Sequence, residues 1–179
     1  MSLQVSKLGL LPGDDLNLLY FYGSFRKYTP LGNRFYTNSN FRFRISVPKH
    51  QPYLQTIGLG FKNDLVRGYE LYVVDGQHYA LSKNELEYQL FSTKKYFSWI
   101  PVRQFNTIPI AAYLNTFADA GYVWNKYPER SNTQLGNTLL MGGGIGIAVV
   151  TFYNIVATFN WTVNRENQKR FFFSITRDF

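Results

Sequence analysis

Cysteine is absent from the 179 residues, which excludes disulfides, thiolate nucleophiles and Cys-ligated metal sites. Histidine is nearly absent: the only two, His50 and His78, have no metal-ligand spacing around them. Ser82, His78 and Asp75 can be drawn as a Ser/His/Asp set, but no G-x-S-x-G elbow accompanies them. GGGIG at 142–146 falls inside a strand pattern, not between a strand and a helix, so it does not read as a phosphate cradle. The expectation is a protein with no catalytic site, no metal and no cofactor. Long apolar runs are missing too. Nothing approaches the roughly eighteen residues a membrane helix needs, so a helical membrane protein is excluded. A mean hydropathy of −0.22 does not exclude a membrane barrel, in which half of each strand is polar and the average cancels. Acidic residues are few, 11 against 19 Lys and Arg, giving a formal charge of +8. That excess suits an anionic neighbour. The basic residues are scattered and no aromatic RNP-type motif joins them, so no nucleic-acid partner is expected. The headgroups of a lipid bilayer, lipopolysaccharide included, suit cations at a barrel rim.

What the chain has in abundance is aromatic residues, 18% of the total with 16 Phe and 14 Tyr. They recur with period two, the mark of half-buried strands. The segment 2–11 is a weak strand, ended by Pro12-Gly13-Asp14-Asp15. Strands follow at 16–28 and, past the turn at Thr29–Gly32, at 33–47. In the latter Phe35, Phe41, Phe43, Ile45 and Val47 oppose Asn38, Asn40, Arg42 and Arg44. Residues 48–77 form a long connection, of which Thr56–Phe61 could extend the sheet. Further strands read at 79–91, 106–124, 136–150, 153–164 and 171–179. With no linker in sight, residues 1–179 read as one domain of about eight antiparallel strands. With both ends on one side, the longer connections, 48–77 among them, fall opposite the tight turns near 30 and 152. Long loops outside and short turns inside is the outer-membrane habit. The connection at 92–105 is the exception.

Alternation alone does not say which face meets lipid. The polar faces carry both charge signs, Arg42 and Arg44 against Glu85, Glu87 and Asp119, as a lumen requires if its charges are to pair. The apolar faces are bulky and nearly unbroken, and 136–150 and 153–164 have no Lys or Glu in their interiors. The predicted fold is therefore all-β, a transmembrane antiparallel up-and-down β-barrel. Tyr122, Trp124 and Phe179 fit its aromatic girdles. A soluble lipocalin-like ligand-binding barrel is the alternative, with its apolar side chains inside.

Four pieces then fall in order along the chain: VRGY (Val66, Arg67, Gly68, Tyr69), F-x-D-x-G (Phe117, Asp119, Gly121), the Gly-rich strand at 142–146, and the terminal FFFSITRDF. Together they resemble the carboxy-terminal barrel half of the BamA-like outer-membrane insertase and two-partner-secretion transporter superfamily, the bacterial surface antigen family. The likeness covers most of the chain from about residue 16. It implies that the loop Arg67 folds back into the barrel and meets Asp119, with Glu87, or less readily Glu85, as an additional acceptor. A rigid guanidinium fork suits carboxylates in such a place. The likeness also implies that Phe173, Ile175 and Phe179 form the sorting signal read by the outer-membrane assembly machinery, although Arg177 stands where an apolar residue is usual. Two departures stand out: no POTRA-type domain precedes the barrel within these residues, and full-length relatives carry twice the strands. Eight strands leave room only for side chains, so the loop fits only if the barrel is enlarged; two copies could share a larger sheet, or pair at an edge, as a homodimer. The implied role is membrane-protein insertion or outer-membrane biogenesis in the cell outer membrane, without chemistry of its own. The alternative within that location is a structural barrel or anchor of a longer protein such as a patatin-like lipase.

Overall fold

The computed structural model describes residues 1–9, 14, 17–48, 51–52, 55–61, 64–96, 107–130, 134–151 and 155–177. Among the described residues run ten strands: β1 (Ser2–Leu8), β2 (Leu18–Pro30), β3 (Phe35–Val47), β4 (Ile57–Leu59), β5 (Val74–Asp75), β6 (His78–Tyr96), β7 (Thr107–Trp124), β8 (Leu139–Val150), β9 (Ile155–Asn164) and β10 (Lys169–Arg177). Eight of them form one sheet in the order β1-β2-β3-β6-β7-β8-β9-β10, and every neighbouring pair is antiparallel. Pro128–Arg130 makes a single 3₁₀ turn. No helix among the described residues is long and apolar enough to cross a membrane, which says nothing about crossing by strands.

The strands form where aromatic and β-branched residues alternate with polar ones, since such side chains pack well on a pleated surface. Register then sorts them into two layers. Phe25 lies beside Phe41, Leu114 beside Ile147, and Ile147 beside Phe159, all on one face. On the other face Lys83 lies beside Asp119, and Asp119 beside Gly142. Arg26 of β2 and Thr176 of β10 line the same hollow as Glu85 of β6, so the sheet is rolled with its polar face concave. The apolar face is convex and open: Phe41, Ile147 and Phe159 are 45%, 46% and 56% exposed. Arg42 and Glu87 line the hollow instead.

Three expectations are corrected. The sheet is not a closed cylinder, because its edge strands β1 and β10 pair only with β2 and β9. An eight-stranded cylinder holds side chains or one small ligand, whereas this concave face also receives main chain from the 48–77 connection. That connection does not extend the large sheet. Its β4 pairs with β5 in a separate two-stranded ribbon. Finally β6 runs on to Tyr96 through a register shift between Gln89 and Phe91, so the connection that looked too long begins later.

The apolar core lies at one end of the concave face, between ribbon and sheet. Leu59, Val66, Tyr69 and Val74 from the connection pack there against Tyr79, Leu81, Val123 and Leu140. Below this plug the hollow holds about 680 Å³, with Arg26, Asn38, Arg42, Lys83, Glu85 and Asn160 among its lining side chains.

Candidate functional site

The ribbon brings VRGY down onto β7 and β8. Its register, Ile57 with Asp75 and Leu59 with Val74, closes the base of the loop. Inside the loop the Tyr69 N–H donates to the Val66 carbonyl at 3.0 Å and the Tyr72 N–H to the Tyr69 carbonyl at 2.9 Å. Gly68 sits inside the first of these turns at φ 97°, a conformation glycine adopts without the penalty a Cβ would bring.

Each residue of the loop motif has a counterpart on the sheet. Val66 sits in the notch left by Gly121, where an added Cβ would come within 2.6 Å of a Val66 methyl. Arg67 donates from Nε and Nη2 to the two oxygens of Asp119, both at 2.8 Å, and its backbone N–H reaches Oδ2 at 3.2 Å. Its Nη1 donates to Glu85 at 3.1 Å, and the Asn115 side-chain amide bonds the other Glu85 oxygen. The guanidinium also lies 3.7 Å from the centre of the Phe117 ring, in cation–π range. Arg67 is 12% exposed at its side chain and Asp119 is 0% exposed. The Arg67 carbonyl rests on Gly142, where a Cβ would approach to 1.8 Å. Asn164 of β9 donates to the Gly68 carbonyl at 3.1 Å, and the Tyr69 hydroxyl donates to Glu166.

Arg67, Asp119, Phe117, Gly121, Val66, Gly68 and Tyr69 are thus gathered in one place. The second acceptor is Glu85, which corrects the preference for Glu87. The two share a face of β6, but Glu85 stands across from Phe117, one step from Asp119, while Glu87 stands across from Asn115 and lines the hollow farther down. Phe173 and Ile175 are not part of this site. They project from the convex face of the edge strand β10, and Phe179 lies outside the described residues.

Sequence reasoning missed three holders of the loop. Asp64 accepts from Arg42 at 2.7 Å and from the Tyr79 hydroxyl at 2.6 Å, tying the loop to β3 and β6. The unbalanced cations of β3, Arg42 and Arg44, pointed to a missing carboxylate. Asn164 and Glu166, in the β9–β10 hairpin, carried no comparable sign. His78 is an acceptor for the Ser46 N–H at 3.1 Å. Ser82 is four residues farther along an extended strand, about 13 Å away, beyond any hydrogen bond to it. His50 lies outside the described residues, and no cluster of metal-ligating side chains occurs among the described ones.

Burial holds the Glu70 carboxyl above the usual carboxylate range, although the Gly68 N–H donates to it at 2.8 Å. Burial, and then Glu166, pushes the Tyr69 hydroxyl up to about 12. These contacts hold the loop in place, and Asp119 occupies three of the donors Arg67 offers. The arrangement is that of a lock, with a polar hollow beneath it. No family model, curated protein or solved structure matches the chain.

Proposed function

We propose that the chain is an integral outer-membrane protein of the BamA-like kind, its convex face in lipid and its VRGY loop locked within the rolled sheet, acting in membrane-protein insertion or outer-membrane biogenesis. The observation that carries this reading is the placement of the side chains. Phe41, Ile147 and Phe159 stand open on the convex face, while Arg67 and Asp119 are withdrawn on the concave one. In water that distribution is unfavourable by the transfer cost of the exposed half of a row of aromatic and branched side chains. In hydrocarbon it is the favourable one. A lipocalin-like barrel needs the reverse. Tyr122 and Trp124, 4.6 Å apart at the loop end, fit one interfacial belt, and Phe35 with Tyr88, 4.7 Å apart toward the turns, fits the other.

Passage of a polypeptide through the middle is opposed by the plug of Leu59, Val66, Tyr69 and Val74. An insertase role is therefore assigned to the sheet's boundary with lipid, where a seam between edge strands can open to template a strand. The test has two arms. Refolding into detergent or liposomes should give a band that migrates differently unheated and boiled. The folded protein should then accelerate folding of a second barrel into liposomes. A protein that stays monodisperse without detergent sinks the location. Folded protein with no effect on any client barrel sinks the role and leaves the location standing.

A further inference from the structure

The two edges of the large sheet are built alike. β1 presents Leu3 and Val5 on the convex side and Ser2, Gln4 and Ser6 on the concave side, following their partners Gly23, Phe21, Ser24, Tyr22 and Tyr20. β10 presents Phe171, Phe173 and Ile175 on the convex side and Ser174 and Thr176 on the concave side, following Trp161, Phe159, Ala157, Thr158 and Val156. Phe171 and Ile175 are 82% and 64% exposed, and Leu3 and Val5 are 68% and 62% exposed. Seven residues on one edge and nine on the other leave a row of backbone donors and acceptors unpaired in the sheet. In lipid such a row must be covered, because no water is there to satisfy it.

We propose that a second copy of this chain covers them, β10 of each copy pairing with β1 of the other, so that two rolled sheets close one larger barrel around both locked loops. In an antiparallel meander of eight strands the first and last run in opposite directions, so β10 and the other copy's β1 meet antiparallel. The match extends to both faces. With Phe173 beside Val5, Ile175 falls beside Leu3 on the lipid side, Ser174 falls beside Gln4 on the lumen side, and Phe171 meets Lys7 at the loop-end rim, where the ammonium reaches the interface. Self-closure is opposed by what fills the roll. An eight-stranded cylinder encloses side chains or at most one small ligand, whereas this concave face holds the main chain of the ribbon and the VRGY loop above a hollow of about 680 Å³. Doubling the strands provides that width. The inference rests on the lipid-facing reading above.

The absence of native cysteine makes the test clean. Val5→Cys is made in one tagged chain, and Phe173→Cys or Ile175→Cys in a chain with a second tag. The two are refolded together in bilayers and oxidised. The expected result is a disulfide-linked band carrying both tags, from protein whose unheated band shows the shift of a folded barrel. The double variant Val5→Cys/Phe173→Cys should yield linked dimers. A cross-link confined to single-chain mass would show self-closure and overturn the proposal. Unmodified protein in detergent gives an answer independent of the variants' folding. Its protein mass by sedimentation should be twice the 20.9 kDa of one chain. A monomeric particle, self-closed or capped by another protein's strand, overturns the second copy. Absence of any heat-modifiable band tests the membrane reading instead, so the two failures are distinguishable.

Discussion

The guanidinium of Arg67 meets two carboxylates, and only Asp119 is wholly withdrawn from solvent; the Glu85 side chain keeps 19% of its surface. Removing one partner of a buried pair leaves the other charged and uncompensated, which costs about 3–5 kcal/mol when burial is complete. Arg67→Ala should fall near the lower figure, because the Arg67 side chain keeps 12% of its surface, and Asp119→Ala should do the same. The double variant should cost clearly less than the sum, measured by urea unfolding of the refolded protein. Arg67→Lys should recover little, because an ammonium cannot reproduce the fork that spans both Asp119 oxygens. Gly142→Ala provides the control, since its Cβ would fall 1.8 Å from the Arg67 carbonyl and lift the loop off β8. In that background Asp119→Ala should cost almost nothing further. Full cost there means that Asp119 acts otherwise than through the docked loop. Glu70 adds a pH dependence of known sign. Burial raises its folded value, so its contribution to loop docking is complete below the ordinary Glu range and is lost as pH rises through the raised value. Glu70→Gln keeps an acceptor for the Gly68 N–H and should flatten that dependence. A loop whose protease sensitivity is as pH-dependent in the variant as in the parent contradicts this assignment.

At the scale of elements, what could be read in the sequence was what repeats. Each strand of the large sheet announces itself by several cycles of apolar and polar residues, and Phe41/Arg42 and Phe117/Ala118 each divide between the faces their parity predicts. Ends were less legible, because aromatic residues such as Tyr96 suit a strand and a loop equally. Of the ribbon only β4 was legible, inside Thr56–Phe61 and with the wrong partner; β5 has two residues, too few for any period to register. For the same reason the second acceptor was misjudged. Glu85 and Glu87 lie on one face about 6.6 Å apart, and the reach of the loop between ribbon and β7, not the pattern of β6, selects the nearer. Asp64 belongs to this scale too. It ties the loop to β3 and β6 through Arg42 and Tyr79, independently of Arg67. Asp64→Ala should therefore raise proteolytic nicking between 60 and 73 while strand content by circular dichroism stays unchanged. Loss of strand content along with the loop would mean that the ribbon holds the roll of the sheet, not just its own loop.

Across the whole molecule the decisive quantity is the sign of one energy, that of putting charge on the convex face. Ile145, Ile147 and Phe159 stand there, 52%, 46% and 56% exposed, and register puts Ile147 between Leu114 and Phe159 in an unbroken apolar row. Were this face wetted, Ile147→Lys or Phe159→Lys would be close to neutral for stability, as most exposed substitutions are, and would improve solubility by removing an apolar patch. In a bilayer the same change places an ammonium at the depth of the acyl chains and costs about 2–4 kcal/mol near the midplane, falling toward the interfaces. The profile along the strand carries the argument. Lysine at Ile147 and Phe159 should be costly, while lysine at Leu139, near the loop end of β8, should be tolerated. Equilibrium refolding of each variant into bilayers measures the profile, and comparison across positions removes any uniform effect on the unfolded chain. A penalty that peaks at mid-strand and fades toward both ends is the signature of a hydrocarbon slab around the sheet. A flat profile near zero would put the convex face in water, and with it the roll, the lock and the hollow would need a different surrounding.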